Sequence, residues 1–318
     1  MATAGNNLPL RRTFSPDPIG QSARLFRFHS KELTSDVSVP TLVGAVASAQ
    51  GAPLGSTEFD VLTLALRRFQ QDGAPADNVY RSKMRPLVRD LYGYHGGHTY
   101  EIVSRALENL FGVEVTLPSF DGDTGTFNTR ALTKARLITQ LVIVAGEEIT
   151  YAPERETVWS AIGRLNRPDQ VTLKIEFASW LGNAVRADQG RELDYEVQRA
   201  LRGAAKACWV LLEASAFTPC PDSPNEEELT LLLERETYAA LGLNSRRLTD
   251  CRAELEDKLN RIIRADPSYV EYEFRPAEHD RRRRILRVRR ATGALRQSRL
   301  RRALLQQANT PSGRNQTA

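Results

Sequence analysis

One order of elements occurs twice in this chain, and it restricts the possible folds more than any single motif does: helix, turn, longer helix, then two extended runs. In the first half Ser56 or Thr57 caps a helix whose apolar residues Phe59, Leu62, Leu66 and Phe69 recur at helical spacing, and Asp72-Gly73-Ala74-Pro75 ends it. Ser82 opens a second helix through Leu91, broken at Gly93; a third starts near Thr99, buries Val103, Ala106, Leu107 and Leu110, and stops at Gly112. Two extended runs follow, Val113 to Leu117 and Leu137 to Ala145, with the turn signal Asp121-Gly122-Asp123-Thr124-Gly125 between them. In the second half, Val171 to Phe177 alternates as a strand. A long helix is then predicted from Asp194 to Ala216, with Val197, Leu201, Ala204, Cys208, Leu211 and Leu212 on one stripe. After the loop Cys220–Asn225 come a strand at Leu229–Leu233 and a short helix from Arg235 to Leu241. A helix capped by Asn244 or Ser245 then buries Leu248, Cys251, Leu255, Leu259 and Ile262, and the extended runs Tyr269–Phe274 and Arg284–Val288 complete the unit. The halves share no residue-level repeat, so the repetition is one of architecture.

Three helices followed by a β-hairpin is the order of a winged helix-turn-helix. The expected fold is therefore α+β, two tandem winged helix-turn-helix domains, mostly helical with β-hairpin wings. The expected boundaries are a disordered tail over 1–21, a first domain over 22–150, a second over 151–292, and a basic, partly disordered tail over 293–318. A length of 318 residues agrees with two domains.

Charge points to the partner. Twelve of the 38 arginines fall between Arg275 and Arg302, against only Glu278 and Asp280, while the rest of the chain is slightly acidic. A basic segment on a weakly acidic body suits a polyanion. No apolar run approaches the roughly 18 residues of a membrane span, and the N-terminal segment has no apolar core of the signal-peptide kind. A cytoplasmic protein is expected. Cys208 and Cys251 read as core residues and Cys220 as a loop residue; the three are too scattered for a disulfide framework or a zinc site.

In the helix from Ser245, a rotation of 100° per residue places Arg246, Asp250, Ala253 and Asp257 opposite the core stripe. Arg246 and Arg247 fall in the first turn, where recognition helices touch base edges, with Thr249 beside them. The same rotation in the helix from Thr99 exposes Glu101, Ser104, Arg105 and Glu108, a weaker set because two glutamates face phosphates. Arg130, Lys134 and Arg136 of the first wing are expected on the DNA backbone, with Arg81, Lys83, Arg85 and Arg89 nearby. In the second wing Arg275, Arg281, Arg282, Arg283, Arg284 and Arg287 are expected to reach phosphates, followed by Arg289 and Arg290. Six to ten such contacts would cost roughly a thousandfold in affinity between 50 and 200 mM salt.

Other signatures are weaker. His95-Gly-Gly-His98 with Tyr100 faintly resembles the paired histidines and tyrosine of rolling-circle nickases, but two glycines separate the histidines and no carboxylate completes a metal site. Asp123-Thr124-Gly125-Thr126 matches an aspartic-protease tetrapeptide in a single copy, where that chemistry needs two carboxylates. No GxxxxGK[ST] is present. No catalytic residue, metal or cofactor is expected.

Several segments together resemble the plasmid replication initiators of the replication initiator protein A type. They are Thr99–Leu110 followed by a hairpin, the strand Ala135–Val144, Val171–Leu181 leading into the long helix, and the basic hairpin near Arg284. The resemblance spans roughly residues 22 to 292 at the level of pattern. It implies binding of double-stranded DNA at origin repeats, help in opening an adjacent AT-rich region, recruitment of the host replicative helicase, repression of the protein's own promoter and a monomer–dimer equilibrium. It further implies that the first domain serves dimerisation and backbone contacts while the second reads bases. A winged-helix repressor with no origin role, or a metal-dependent nickase using His95, His98 and Tyr100, is the alternative.

Overall fold

The computed structural model describes residues 12–16, 37–40, 46–51, 54–121, 124, 126–145, 147–152, 157–163, 170–241, 243, 247–277, 284–293, 296 and 299. The chain begins with strands β1 (Arg12–Pro16), β2 (Val37–Pro40) and β3 (Val46–Gln50), then helix α1 (Ser56–Gln71), strand β4 (Val79–Lys83) and helices α2 (Met84–Tyr92) and α3 (Gly97–Gly112). Strands β5 (Glu114–Asp121), β6 (Thr126–Arg136), β7 (Ile138–Ala145) and β8 (Glu147–Thr150) lead to α4 (Val158–Gly163), β9 (Thr172–Phe177), α5 (Ser179–Arg186) and β10 (Gly190–Asp194). Helices α6 (Tyr195–Ala200) and α7 (Gly203–Glu213) precede β11 (Thr218–Cys220), β12 (Ser223–Leu233), α8 (Arg235–Ala240), α9 (Leu248–Ala265), β13 (Tyr269–Pro276) and β14 (Arg284–Ala291).

The class is α+β, but the sheets are larger than a mostly helical fold with wings predicts: the described residues hold fourteen strands against nine helices. Two of the sheets share one topology. Helix α1, strand β4, helices α2 and α3, then β7 and β9 form the first unit, whose sheet order is β4-β9-β7 with β8 outside β7. Helix α7, strand β12, helices α8 and α9, then β13 and β14 form the second, with the order β12-β14-β13 and β11 outside β12. In both units the third strand lies between the first and second.

The pairing relocates the expected first wing. The run Val113–Leu117 does not face Leu137–Ala145. Strand β5 pairs instead with β6 across the Asp121–Gly125 turn, Asp121 opposite Thr126, and β3 and β2 extend that sheet. The polar sequence of β6, Thr-Phe-Asn-Thr-Arg-Ala-Leu-Thr-Lys-Ala-Arg, carries too little apolar alternation to announce a strand. β7 turns away to pair with β9, burying Ile138, Leu141 and Ile143 with Leu173, Ile175 and Phe177. The boundary expected at 150/151 therefore falls between strands of one sheet.

Three further expectations change. Arg12–Pro16, assigned to a disordered lead-in, is a strand paired with β10. The long helix Asp194–Ala216 is two helices. Asp194 caps the first, accepting from the Glu196 and Val197 amides, and Leu201 and Arg202 turn extended before Gly203 restarts the chain at φ +57°. A left-handed residue cannot continue a right-handed helix, and glycine adopts that conformation without strain. Cys220, read as a loop residue, is buried at the end of β11.

The core stripes are as predicted on α1 and α3 and along α6–α7: Phe59, Leu62, Leu66, Phe69, Val103, Leu107, Leu110, Val197, Leu201, Cys208 and Leu212 are all buried. Among the described residues no helix is long and apolar enough to cross a membrane.

Candidate nucleic-acid interface

Helix α9 carries an open face in the second unit. Cys251, Leu255, Leu259 and Ile262 are buried and Asp250, Ala253 and Asp257 are exposed, as rotation predicts, and Thr249 is exposed beside them. The start of the helix differs. Arg247 is the N-cap residue with extended backbone (φ −104°, ψ 136°), so the first turn is Leu248-Thr249-Asp250, and Leu248 is 49% exposed rather than core. Arg246, with the expected caps Asn244 and Ser245, lies outside the described residues. Arg247 is exposed at the positive end of the helix dipole, beside backbone amides that favour an anion. Asp257 is held by Lys258 at 2.9 Å and Arg261 at 3.0 Å, and those hydrogen bonds lower its carboxyl below the usual range. Arg252 lies over the Phe274 ring at 4.8 Å and Asn260 accepts from the Tyr272 hydroxyl at 3.0 Å, tying α9 to β13.

The arginines of β14 are a different matter. Glu227 and Glu228 of β12 sit directly opposite Arg290 and Arg289 in the ladder, and Thr230 opposite Arg287. Arg287 Nε donates to Glu228 at 2.7 Å; Arg289 lies 3.1 Å from Glu271; Arg290, 4% exposed, pairs with Glu227 and with Glu213 at 3.2 Å. Arg275 is engaged by Glu273 at 2.6 Å. Cross-strand opposite charges stabilise a sheet, and a guanidinium engaged by a carboxylate has part of its charge compensated and fewer donors left for a phosphate. Thus Arg287 is partly buried against Glu228, while Arg275 stays exposed with Glu273 beside it. Arg284, at the start of β14, is exposed. Arg281, Arg282 and Arg283 lie outside the described residues. The signal that the sequence reading missed is the acidic run Glu226-Glu227-Glu228, whose charge complements β14.

Behind this sheet lies a buried polar cluster. Glu213, 2% exposed, accepts from the Tyr269 hydroxyl at 2.8 Å and from Arg296 at 2.7 Å. Burial alone would raise the Glu213 carboxyl, but the Arg296 and Arg290 guanidiniums outweigh it and hold the group down at about 2. Asp266, accepting from Trp209 Nε1 at 3.0 Å, is instead raised by burial and by the charge of Glu213. Arg296, expected in a partly disordered tail, is thereby docked on the second unit.

In the first unit the candidates are more covered. Ser104, expected exposed, is fully buried and donates to the Tyr100 carbonyl at 2.8 Å. Tyr100 is itself buried, which widens the core stripe of α3 until Ser104 falls on its edge. Arg105 pairs with Glu101 at 2.9 Å on the exposed side, and Glu108 accepts from the Val158 and Trp159 amides at the start of α4. Lys134 pairs with Glu114 at 2.7 Å, and Arg136 is exposed with its guanidinium 5.8 Å from the centre of the Phe111 ring. Arg130 belongs to β6, but its side chain is outside the described set. Lys83, Arg85 and Arg89 are exposed around α2. The described residues bring together no group of histidine, cysteine and carboxylate side chains able to hold a metal ion.

No protein-family profile matches the sequence, and no curated protein matches it. Among solved structures, the chain is similar to domains 2 and 3 of RctB. A selenomethionine derivative gives a TM-score of 0.49 at 11% identity over 87% of this chain and 98% of that one. A second structure of the same domains gives 0.45 at 10% identity over 88% and 99%.

Proposed function

We propose that this chain is a sequence-specific, double-stranded-DNA-binding replication initiator, in which each repeated unit is a winged helix and α9 reads bases. The observation that carries the reading is that in both units a helix, a strand and two helices precede two further strands of one sheet, the last strand lying between the other two, with β5, β6, β8 and α4 inserted in the first unit; in the second unit this leaves the outer face of α9 open. On that face Thr249, Asp250 and Ala253 meet base edges, and Arg247 meets a phosphate. Asp250 accepts from an exposed base amino group, and the Thr249 and Ala253 methyls suit a thymine methyl. Exposed cations available for phosphate include Arg247 and Arg284, with Lys83, Arg85, Arg89 and Arg136 in the first unit. Arg281–Arg283 extend the wing turn in sequence.

The resemblance to plasmid initiators extends the reading to repeated sites at an origin and in the protein's own promoter, to help in opening the origin, to recruitment of a host helicase and to a monomer–dimer equilibrium, all in the cytoplasm. No catalysis is assigned to the chain itself. The test is selection of bound sequences from a random duplex pool at about 150 mM salt, where non-specific phosphate binding is weakened. Wild type is expected to recover one motif that Thr249→Ala/Asp250→Ala loses. Recovery of no motif, with binding that tracks salt alone, overturns the proposal.

A further inference from the structure

The two units are joined at a buried charge. Lys206 of α7 is 3% exposed, and its Nζ lies 3.1 and 3.0 Å from the two carboxylate oxygens of Asp60 and 2.9 Å from Ser56 Oγ, both on α1. Gln198 of α6 donates to the same Asp60 at 2.5 Å and to Thr63 Oγ1 at 3.2 Å. The three ammonium protons of Lys206 thus have acceptors in hand. A second tie lies alongside: β10 pairs with β1, Arg67 forms an ion pair with Glu192 at 2.5 Å, and Gln70 donates to Asp188 at 3.1 Å.

We propose that Lys206 and Asp60 are positioning residues that set the placement of α9 relative to the first unit, so that the phosphates met by the first unit lie at one fixed distance from the bases read by α9. This rests on the DNA-binding reading above. The argument is physical. A buried ion pair is often no more stabilising than apolar residues of the same volume, so its use here is directional. An apolar contact between α1 and α7 can slide, whereas a lysine bound by three acceptors on one helix face fits a single register, the best attested use of a buried polar group. The register is passed outward by packing, since α3 packs on α1 and α9 packs on α7. A shift of α7 along α1 would carry α9 with it, and adjacent base pairs present their edges rotated by roughly 35°.

The experiment uses the full chain and the motif recovered by selection, in duplexes that carry one uncharged methylphosphonate in turn at each phosphate flanking the motif. Wild type is expected to lose about threefold or more in affinity at a few phosphates at one fixed distance from the motif. The double variant Lys206→Met/Asp60→Leu removes both charges together and so leaves none unpaired. It is expected to spread smaller losses over the phosphates on either side. Lys206→Gln/Asp60→Asn keeps the shapes nearly unchanged, also leaves no charge unpaired, and gives the same readout should the first variant not fold, as judged by thermal melting. A folded variant with the wild-type pattern of losses overturns the assignment while leaving DNA binding intact. The absence of any wild-type loss at a flanking phosphate overturns it too. Failure of wild type to recover any motif overturns the DNA-binding reading itself.

Discussion

Arg290 is 4% exposed, with Glu213 at 3.2 Å and the face of the Phe217 ring 3.8 Å from its guanidinium carbon. Its charge, counted from sequence as part of a surface for DNA, belongs to the interior. The same holds in lesser degree for Arg287 and Arg289, which face acidic partners on β12 and β13. Two predictions follow at this scale. Arg287→Gln should lower the melting temperature while leaving the salt dependence of DNA binding unchanged, whereas Arg247→Ala should cost roughly 1 kcal/mol of affinity and flatten that dependence by about one counterion. Titrations across a salt series separate the two outcomes. Glu213 predicts a pH effect. Its folded pKa of about 2 lies below the ordinary value of a glutamate, so its stabilisation is full above about pH 5 and is lost as pH falls towards 2. Asp266, shifted the other way, offsets part of that loss. Glu213→Gln should cost about 3 kcal/mol at neutral pH by leaving Arg290 and Arg296 unbalanced, and should flatten the fall in urea midpoint between pH 5 and pH 3. An acid limb as steep as that of wild type would refute the role given to Glu213.

At the scale of elements, helices were more legible than strands. The stripe Cys251, Leu255, Leu259, Ile262 names the buried face of α9 because helical periodicity is written in neighbouring residues. Leu248 escapes the rule since the helix starts there, beyond the reach of the core. The join between β4 and α5 was not legible at all. Asn78 adopts φ +57°, its carbonyl accepts from the Phe177 amide at 3.0 Å, and its side chain accepts from Arg186 at 2.8 Å. A Cβ built on Gly182 would fall 2.0 Å from Asn78 Oδ1 and 3.4 Å from Asn78 Cβ. Gly182→Ala should therefore destabilise the first unit by about 1–3 kcal/mol, although alanine is the better helix former. A melting temperature equal to or above that of wild type would show that Asn78 moves aside freely.

At the scale of the whole molecule, net charge is a poor guide to the surface. The sequence concentrates twelve arginines between Arg275 and Arg302, but of those described, Arg275, Arg287, Arg289, Arg290 and Arg296 are matched by Glu273, Glu228, Glu271, Glu227 and Glu213. The slope of log affinity against log salt should accordingly correspond to fewer phosphates than twelve arginines suggest, roughly four to seven, measured by fluorescence anisotropy on a fixed duplex. A slope near ten would mean that the β14 pairs open on DNA.

The division between the two sources of information follows from the range of the interactions. Sequence alone determined helices α1, α2, α3, α8 and α9, most of the stripes they bury and the α+β class, because helical hydrogen bonds join residues a few positions apart. Only the tertiary structure decided that β7 pairs with β9 rather than with β5, that Gly203 splits one long amphipathic stretch, that Glu227 and Glu228 face arginines of β14, and that Lys206 finds Asp60. Strand partners and ion pairs join residues tens to more than a hundred positions apart, and local periodicity carries no record of which distant segment supplies the other half.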